Sequence, residues 1–196
     1  PIWTRLTLRD KNGTVLVSLD DHVLDGSYNA PQHTHHSLEI SCVVEGTGKY
    51  VIDNRSYDLQ KGDIIIINNT EQHRLVLSGE NRFHHIVIHF DPSFIWNSLS
   101  NDLDYNFLLV FFERGPNFSN RLDRDNPATA CIYALILDIL EEFNSRRLCY
   151  ELIIKIKLQT IFTEILRNYD YIDRHKVVKP LSGDDILNLN TVMRYI

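Results

Sequence analysis

Residues 26–46 read GSYNAPQHTHHSLEISCVVEG and residues 61–73 read KGDIIIINNTEQH; the rest of the chain is arranged around these two stretches. His33, His35 and Glu39 share odd parity, so an extended backbone turns all three side chains to one face. His73 opens a later strand. Laid beside the first strand in a small antiparallel barrel, it would bring three imidazoles and one carboxylate to a single interior point. The other face of the histidine strand carries Ile40, Cys42 and Val44. An apolar second face predicts that the outside of the barrel is covered too, by helices from later in the chain.

Working outward, the N-terminal side offers IWTRLTLR (2–9), a turn at Lys11-Asn12-Gly13 and the strand TVLVSLD. Residues 22–29 are polar and read as a loop. After the histidine strand, Glu45-Gly46-Thr47-Gly48 is a turn, and KYVID and SYDLQ form a hairpin whose Asp53-Asn54 suits positive φ. Lys61-Gly62-Asp63 turns into residues 64–67, a β-branched and fully buried strand. RLVLS and RFHHIVIHF follow, ending at Asp91-Pro92. The total is about eight strands with turn signals every 8 to 12 residues, the pattern of an all-β barrel or sandwich.

Beyond Pro92 the apolar period becomes helical. SFIWNSL suits a short helix, while the apolar run 107–112 is too short to separate strand from helix. Asn126-Pro127 is a helix start, with Asn as N-cap and Pro in the first turn. Ile132, Leu135, Ile136, Ile139, Leu140 and Phe143 repeat at helical spacing behind it. A second helix runs from about Leu148 to Tyr169, with one stripe at Ile154, Leu158, Ile161 and Ile165 widened by Leu152, Ile153, Ile156, Phe162 and Leu166. The short link 144–147 makes the two an antiparallel pair. The wide arc predicts either a deeply packed core helix or a contact with a second subunit. Residues 170–185 read as a linker, and 186–196 as the opening of a further helix whose apolar stripe is incomplete, as in a fragment of a longer protein.

Composition bounds the possibilities. The chain has 196 residues, 43% hydrophobic and 23% charged, with a formal net charge of -6. That acidity argues against holding a nucleic acid by its phosphates. Cys42, Cys131 and Cys149 are odd in number and spread out, and are expected to be reduced, mostly buried thiols of a cytoplasmic protein. No signal-like segment opens the chain, and no apolar run approaches a membrane span.

Three histidines and a carboxylate suit a first-row divalent transition metal, so His33, His35, Glu39 and His73 are the candidate metal ligands. Barrel interiors also hold hydrogen-bonded histidines that meet a polar small molecule directly, and the same four are the candidate ligand-binding residues. His36 has the opposite parity and is expected to be exposed. His84, His85 and His89 share one strand; His85 and His89 could both point inward, but each reads first as a surface or satisfied core histidine. No phosphate loop, dinucleotide fingerprint or persuasive catalytic triad accompanies them.

The spacing Gly26-x6-His33-x-His35-x3-Glu39-x6-Gly46 closely resembles the first cupin motif, with one extra residue before the first histidine. Gly62-x5-Asn68-Asn69-Thr70-x2-His73 resembles the second; Asn68 and Thr70 stand where Pro and Gly are usual, and Leu77 where Asn is usual. The order of these motifs, then IVIHFDPSFI, two long helices and TVMRYI, is similar to the N-terminal half of AraC-type transcription regulators. The resemblance implies a cupin double-stranded β-helix in residues 1–92 that senses a small polar molecule, a sugar among them. It implies a helical region in residues 93–169 that joins two copies through 127–169. It implies that 186–196 is the first helix of a helix-turn-helix domain through which the longer protein meets DNA. Many sensors of that family keep the histidines yet bind sugars without a metal. The resulting expectation is a non-enzymatic, homodimeric sensor domain. The alternative is a metal-dependent cupin enzyme, a dioxygenase or sugar isomerase, using His33, His35, Glu39 and His73. A storage cupin ranks third, since it leaves the long helices without a purpose.

Overall fold

The computed structural model describes residues 2–96 and 102–172. Nine strands come first: β1 (Ile2–Arg9), β2 (Val15–Asp25), β3 (Tyr28–Asn29), β4 (Leu38–Glu45), β5 (Thr47–Ile52), β6 (Arg55–Gln60), β7 (Ile64–Ile67), β8 (His73–Leu77) and β9 (Arg82–Phe90). They pair antiparallel in two sheets, one ordered β1-β2-β9-β4-β7 and one ordered β3-β8-β5-β6. The expected mainly β barrel followed by helices is therefore what the chain forms.

Local chemistry accounts for the connections. The β5–β6 hairpin turns at Asp53, whose φ is 48°, a conformation that a short polar side chain tolerates. Gly46, between β4 and β5, has φ 88°, and a Cβ there would lie 2.2 Å from the carbonyl oxygen of Arg82. Only glycine lets these backbones approach so closely. The four isoleucines of β7 are all buried. Ile64 and Ile66 face one core, and Ile65 and Ile67 face another. The free side of β7 is covered by the chain itself: Ile66 N donates to Asn120 O at 2.8 Å and Leu122 N to Ile64 O at 2.9 Å. That pairing removes an open sheet edge.

The helices are α1 (Pro92–Ile95), α2 (Asp102–Tyr105), a 3-10 turn (Asn106–Leu108), α3 (Leu109–Phe112), α4 (Pro127–Ser145) and α5 (Tyr150–Asn168). The unassigned apolar run 107–112 is thus helical. Asn126 caps α4 as expected, its side chain accepting from Ala128 N at 3.0 Å. α4 and α5 are antiparallel, since Asn126 at the start of one donates to Asn168 O at the end of the other. Their inner stripes pack on Leu19, Ile40, Cys42, Ile64, Ile88 and Phe90, the outer face of the five-stranded sheet. Phe162 of α5 lies 5.4 Å, centroid to centroid, from both Phe90 and Phe111. The apolar second face of β4 is covered by helices, as predicted.

Several expectations need correction. Residues 22–25 belong to β2 rather than to a loop; His22 turns into the barrel interior beside His85, while Asp25 is exposed. α5 starts at Tyr150, after Cys149 in the left-handed region, rather than at Leu148. Of the three thiols only Cys42 is buried; Cys131 and Cys149 are exposed. The expected helix 186–196 and residues 173–185 of the expected linker lie outside the described residues. No helix among the described residues is long and apolar enough to cross a membrane.

Candidate functional site

The inner face of the five-stranded sheet is built in rows by the strand register. One row runs Thr7, Ser18, His89, Glu39, Ile67; the next Arg5, Asp20, Val87, Ser41, Ile65; the third Trp3, His22, His85, Val43. Side chains two residues apart on each strand share this face, so polar and charged groups from β1, β2, β4 and β9 are stacked inside the barrel. Ser18, Asp20, Glu39, Ser41 and His85 are buried there.

The four residues singled out by spacing do converge, but not by sharing one strand. β4 begins at Leu38, so only Glu39 sits on it. His33 reaches the site through an isolated bridge to His73, with a backbone hydrogen bond in each direction, 3.1 and 2.9 Å. Residues 36 and 37 bend between His35 and β4, so His33 and His35 lie outside the strand that carries Glu39. His35 Nε2 lies 3.0 Å from Glu39 Oε2, and His73 Nε2 lies 3.4 Å from the same oxygen. The His33 and His73 rings are 4.5 Å apart. Tyr50 OH donates to Glu39 Oε1 at 3.3 Å. His36 is exposed, as parity suggested.

A fifth member, His89, was ranked by sequence as a surface or satisfied core residue. Its Nε2 is 3.3 Å from Glu39 and its Nδ1 3.4 Å from Asp20. Burial pulls its pKa down, but hydrogen bonds to Asp20 and Glu39 outweigh this and lift it to about 9. His89 is therefore a charged bridge between two carboxylates. Asp20 in turn takes a bidentate contact from Arg5, at 2.6 and 2.7 Å, and a bond from Trp3 Nε1 at 3.3 Å. Burial pushes Glu39 up, yet hydrogen bonds with His35, His73 and His89 hold it well below the ordinary carboxylate range. The pair His22 and His85, 3.0 Å apart, stands at the other end of the same face. Burial drives the pKa of His85 down to about 3, so it is neutral. His22 went unnoticed because residues 22–29 resembled a loop, and Asp20 because it was the last residue of an expected strand with no partner in view; the parity of His85 and His89 was the one usable signal.

The donor set fits a divalent metal. His33, His35 and His73 each place Nδ1 within 2.9 to 3.0 Å of a backbone carbonyl, of Pro31, Ser37 and Glu71 respectively. A carbonyl only accepts, so each Nδ1 carries a proton and each Nε2 is the nitrogen turned toward the site. Such second bonds orient metal-ligating imidazoles. His73 Nε2 is buried without a hydrogen-bond partner. His35 and His73 thus both turn Nε2 toward the Glu39 carboxylate, a contact that a proton or a metal ion on Nε2 makes attractive. Two ligand groups can be drawn, His33–His35–His73 and His35–Glu39–His89, the atoms of each within 4.8 Å of one another.

Beside the cluster lies a cavity of about 450 Å³. Its polar wall includes His33, Glu39, His73 and His89, and its apolar wall includes Trp3, Leu24, Tyr28, Leu75 and Val87. That volume suits a small organic molecule, with polar groups at one wall to fix its orientation.

Comparison with known proteins agrees with this architecture. The family model described as the AraC-like ligand binding domain matches residues 24–153. Comparison with curated proteins gives no match. Similar solved structures include a cupin protein from Bacteroides fragilis, 21% identical, with TM-score 0.40, covering 50% of this chain and 81% of that one. A cupin 2 conserved barrel domain protein from Salinispora arenicola is 17% identical, with TM-score 0.39 and coverage of 46% and 77%. A cupin family protein with a double-stranded β-helix fold from Methanocaldococcus jannaschii is 11% identical, with TM-score 0.38 and coverage of 45% and 80%. The chain itself forms antiparallel β sheets followed by helices.

Proposed function

This chain belongs to the family of AraC-like ligand-binding domains, and on that premise we propose that it senses a small polar effector held in the cavity between its two sheets. The observation that carries this reading is the polar cluster around Glu39 at the wall of a cavity large enough for such a molecule. An oxygen-rich compound, a sugar among them, would find hydrogen-bonding side chains along one wall. The Trp3 and Tyr28 rings would cover its apolar face. His33, His35, Glu39 and His73 are the ligand-binding residues of this reading.

The same four residues would hold a divalent transition metal, which when bound supplies a Lewis-acid site for an effector oxygen. The protein's own groups then do the positioning. Backbone carbonyls fix the three rings, and His89 and Tyr50 hold the Glu39 carboxylate. This donor set also supports a second reading, a metal-dependent enzyme such as a dioxygenase or sugar isomerase. Turnover by the metal-loaded chain would favour that reading over sensing.

For assembly, Leu152 and Ile156 of α5, 56% and 46% exposed, form an apolar stripe, and Leu148, just before the helix, is 95% exposed. A second copy of the chain, meeting this stripe in the region 127–169, is the partner proposed for it. In a longer protein, effector binding would shift the balance between two arrangements of such a dimer and so change how DNA-binding domains are spaced.

Fluorescence tests the sensing claim. The chain has two tryptophans, Trp3 at the cavity and buried Trp96. Titration with sugars, polyols and hydroxy acids should give a saturable change with at least one compound. Glu39→Gln should weaken that compound about tenfold or more, the worth of one charge-assisted hydrogen bond. Equal binding by wild type and Glu39→Gln would contradict the site.

A further inference from the structure

We propose that Glu71 and Arg114 are positioning residues that couple the state of His73 to the course of the chain at Tyr171 and Ile172. The inference rests on the sensor reading and names how occupancy of the cavity would leave the barrel.

Glu71 makes two kinds of contact at once. Its backbone carbonyl accepts from His73 Nδ1 at 3.0 Å. Its carboxylate takes both guanidinium nitrogens of Arg114, Nη1 at 2.5 Å and Nη2 at 2.9 Å. Asn120 Nδ2 and Asn68 N complete the shell at 2.9 and 2.8 Å. Burial pushes this carboxyl up, but Arg114 outweighs it and keeps Glu71 ionised. A part-buried, multiply bonded charge pair of this kind holds one geometry.

The turn between is stiff. Asn68 Oδ1 accepts from Thr70 N at 2.9 Å and Glu71 N at 3.1 Å. A shift of the His73 ring therefore moves the Glu71 carbonyl, and residues 68–71 carry the shift to the carboxylate as a unit. Arg114 receives it. Its guanidinium sits 3.9 Å over the Phe118 ring, and its backbone bridges Ile172. Gly115 N donates to Tyr171 O at 2.8 Å, and the Phe118 and Tyr171 rings lie 5.6 Å apart.

The receiving element is small enough to switch. A single bridge, which includes the Gly115 N to Tyr171 O bond, ties residues 114–115 to 171–172 beyond the end of α5, with Tyr171 and Ile172 packed on the core. Such a short ladder breaks and re-forms as one piece, the two-state element that coupling requires. A purely structural staple would need the ion pair but not the bond to His73. Here the residue that grips Arg114 is also the residue whose carbonyl fixes the tautomer of a site imidazole.

Hydrogen exchange on the full 196-residue chain tests the coupling. His73→Phe should speed exchange of the Gly115 amide about tenfold while amides of α4 keep their protection. Arg114→Lys should do the same, and the double variant should go no further than the stronger single one. Additive effects, or an unchanged Gly115 in His73→Phe, would overturn the proposal. In a second arm Zn²⁺ alone is the probe. If mass spectrometry shows it bound, Gly115 should exchange several-fold more slowly in wild type and unchanged in Glu71→Gln; binding without slowing counts against the coupling. If Zn²⁺ does not bind, the metal reading of the site falls, and the variant cycle still decides the coupling.

Discussion

The two faces of the five-stranded sheet are built from the same strands, yet they differ in almost every respect. The outer face is Leu19, Ile40, Cys42, Ile64, Ile88 and Phe90 beneath α4 and α5. The inner face is Ser18, Asp20, His22, Ser41, Glu39, His85 and His89. Neighbouring residues on one strand thus meet hydrocarbon and a charge network in turn. Both faces are largely buried, so burial does not distinguish them; bonding does. The outer face is held by non-directional apolar contact, which tolerates any close-packed arrangement. The inner face is held by directed bonds whose rings and carboxylates have one workable arrangement, and an arrangement of that kind can recognise a ligand. One face suits stability; the other suits the selection proposed for it.

That contrast can be broken from either side. The largest effect should come from the outer face: Phe162→Ala should cost about 3 to 5 kcal/mol in urea unfolding, because two aromatic neighbours lose their contact. Its stability should keep the wild-type shape against pH, since no titrating group is touched.

His89→Gln should do the reverse. With its pKa at about 9 in the fold and the ordinary 6.5 when unfolded, His89 binds its proton more tightly in the folded state. Its contribution is full below pH 6.5 and is lost as pH rises from 6.5 to 9, a decline on the order of 3 kcal/mol. Unfolding midpoints at those two pH values should diverge in wild type and lie closer together in His89→Gln. An unchanged divergence would remove His89 from the charged bridge.

Two smaller changes sharpen the outer side. Asn126→Ala removes the cap of α4 and should cost about 1 kcal/mol with no effect on ligand binding. Leu152→Glu, on the exposed stripe, should change the stability of the isolated fold by less than about 0.5 kcal/mol. Analytical ultracentrifugation should show it shifting a dimer to monomer; a wild type that is already monomeric at micromolar concentration would discard that interface.

Much of the fold was legible because strand and helix leave different periods in the chain. β7, β8, β9, the Asp53 turn and the Asn126-Pro127 start all announce themselves by local chemistry. The four candidate ligands were legible as a group through motif spacing, but the single strand assumed for three of them is interrupted: His33 sits at a bridge to His73, and a bend at 36–37 separates His35 from Glu39. The inner rows were harder. In a half-exposed sheet polar residues mark the solvent side, so the stretch from His22 suggested a loop, and His89 suggested a surface or satisfied core residue. A barrel with a polar interior inverts that rule, and one strand alone carries no sign of which case applies. The Glu71–Arg114 pair, 43 residues apart, was beyond reach, since nothing local ties a turn to a distant loop.

Native mass spectrometry of the chain mixed with a library of sugars, polyols and hydroxy acids addresses the sensing claim most directly, when run beside Ala30→Trp, which fills the cavity from its wall. The account predicts at least one compound bound at one per chain in wild type and absent from Ala30→Trp. Identical binding by the two proteins, or none by wild type, would contradict it.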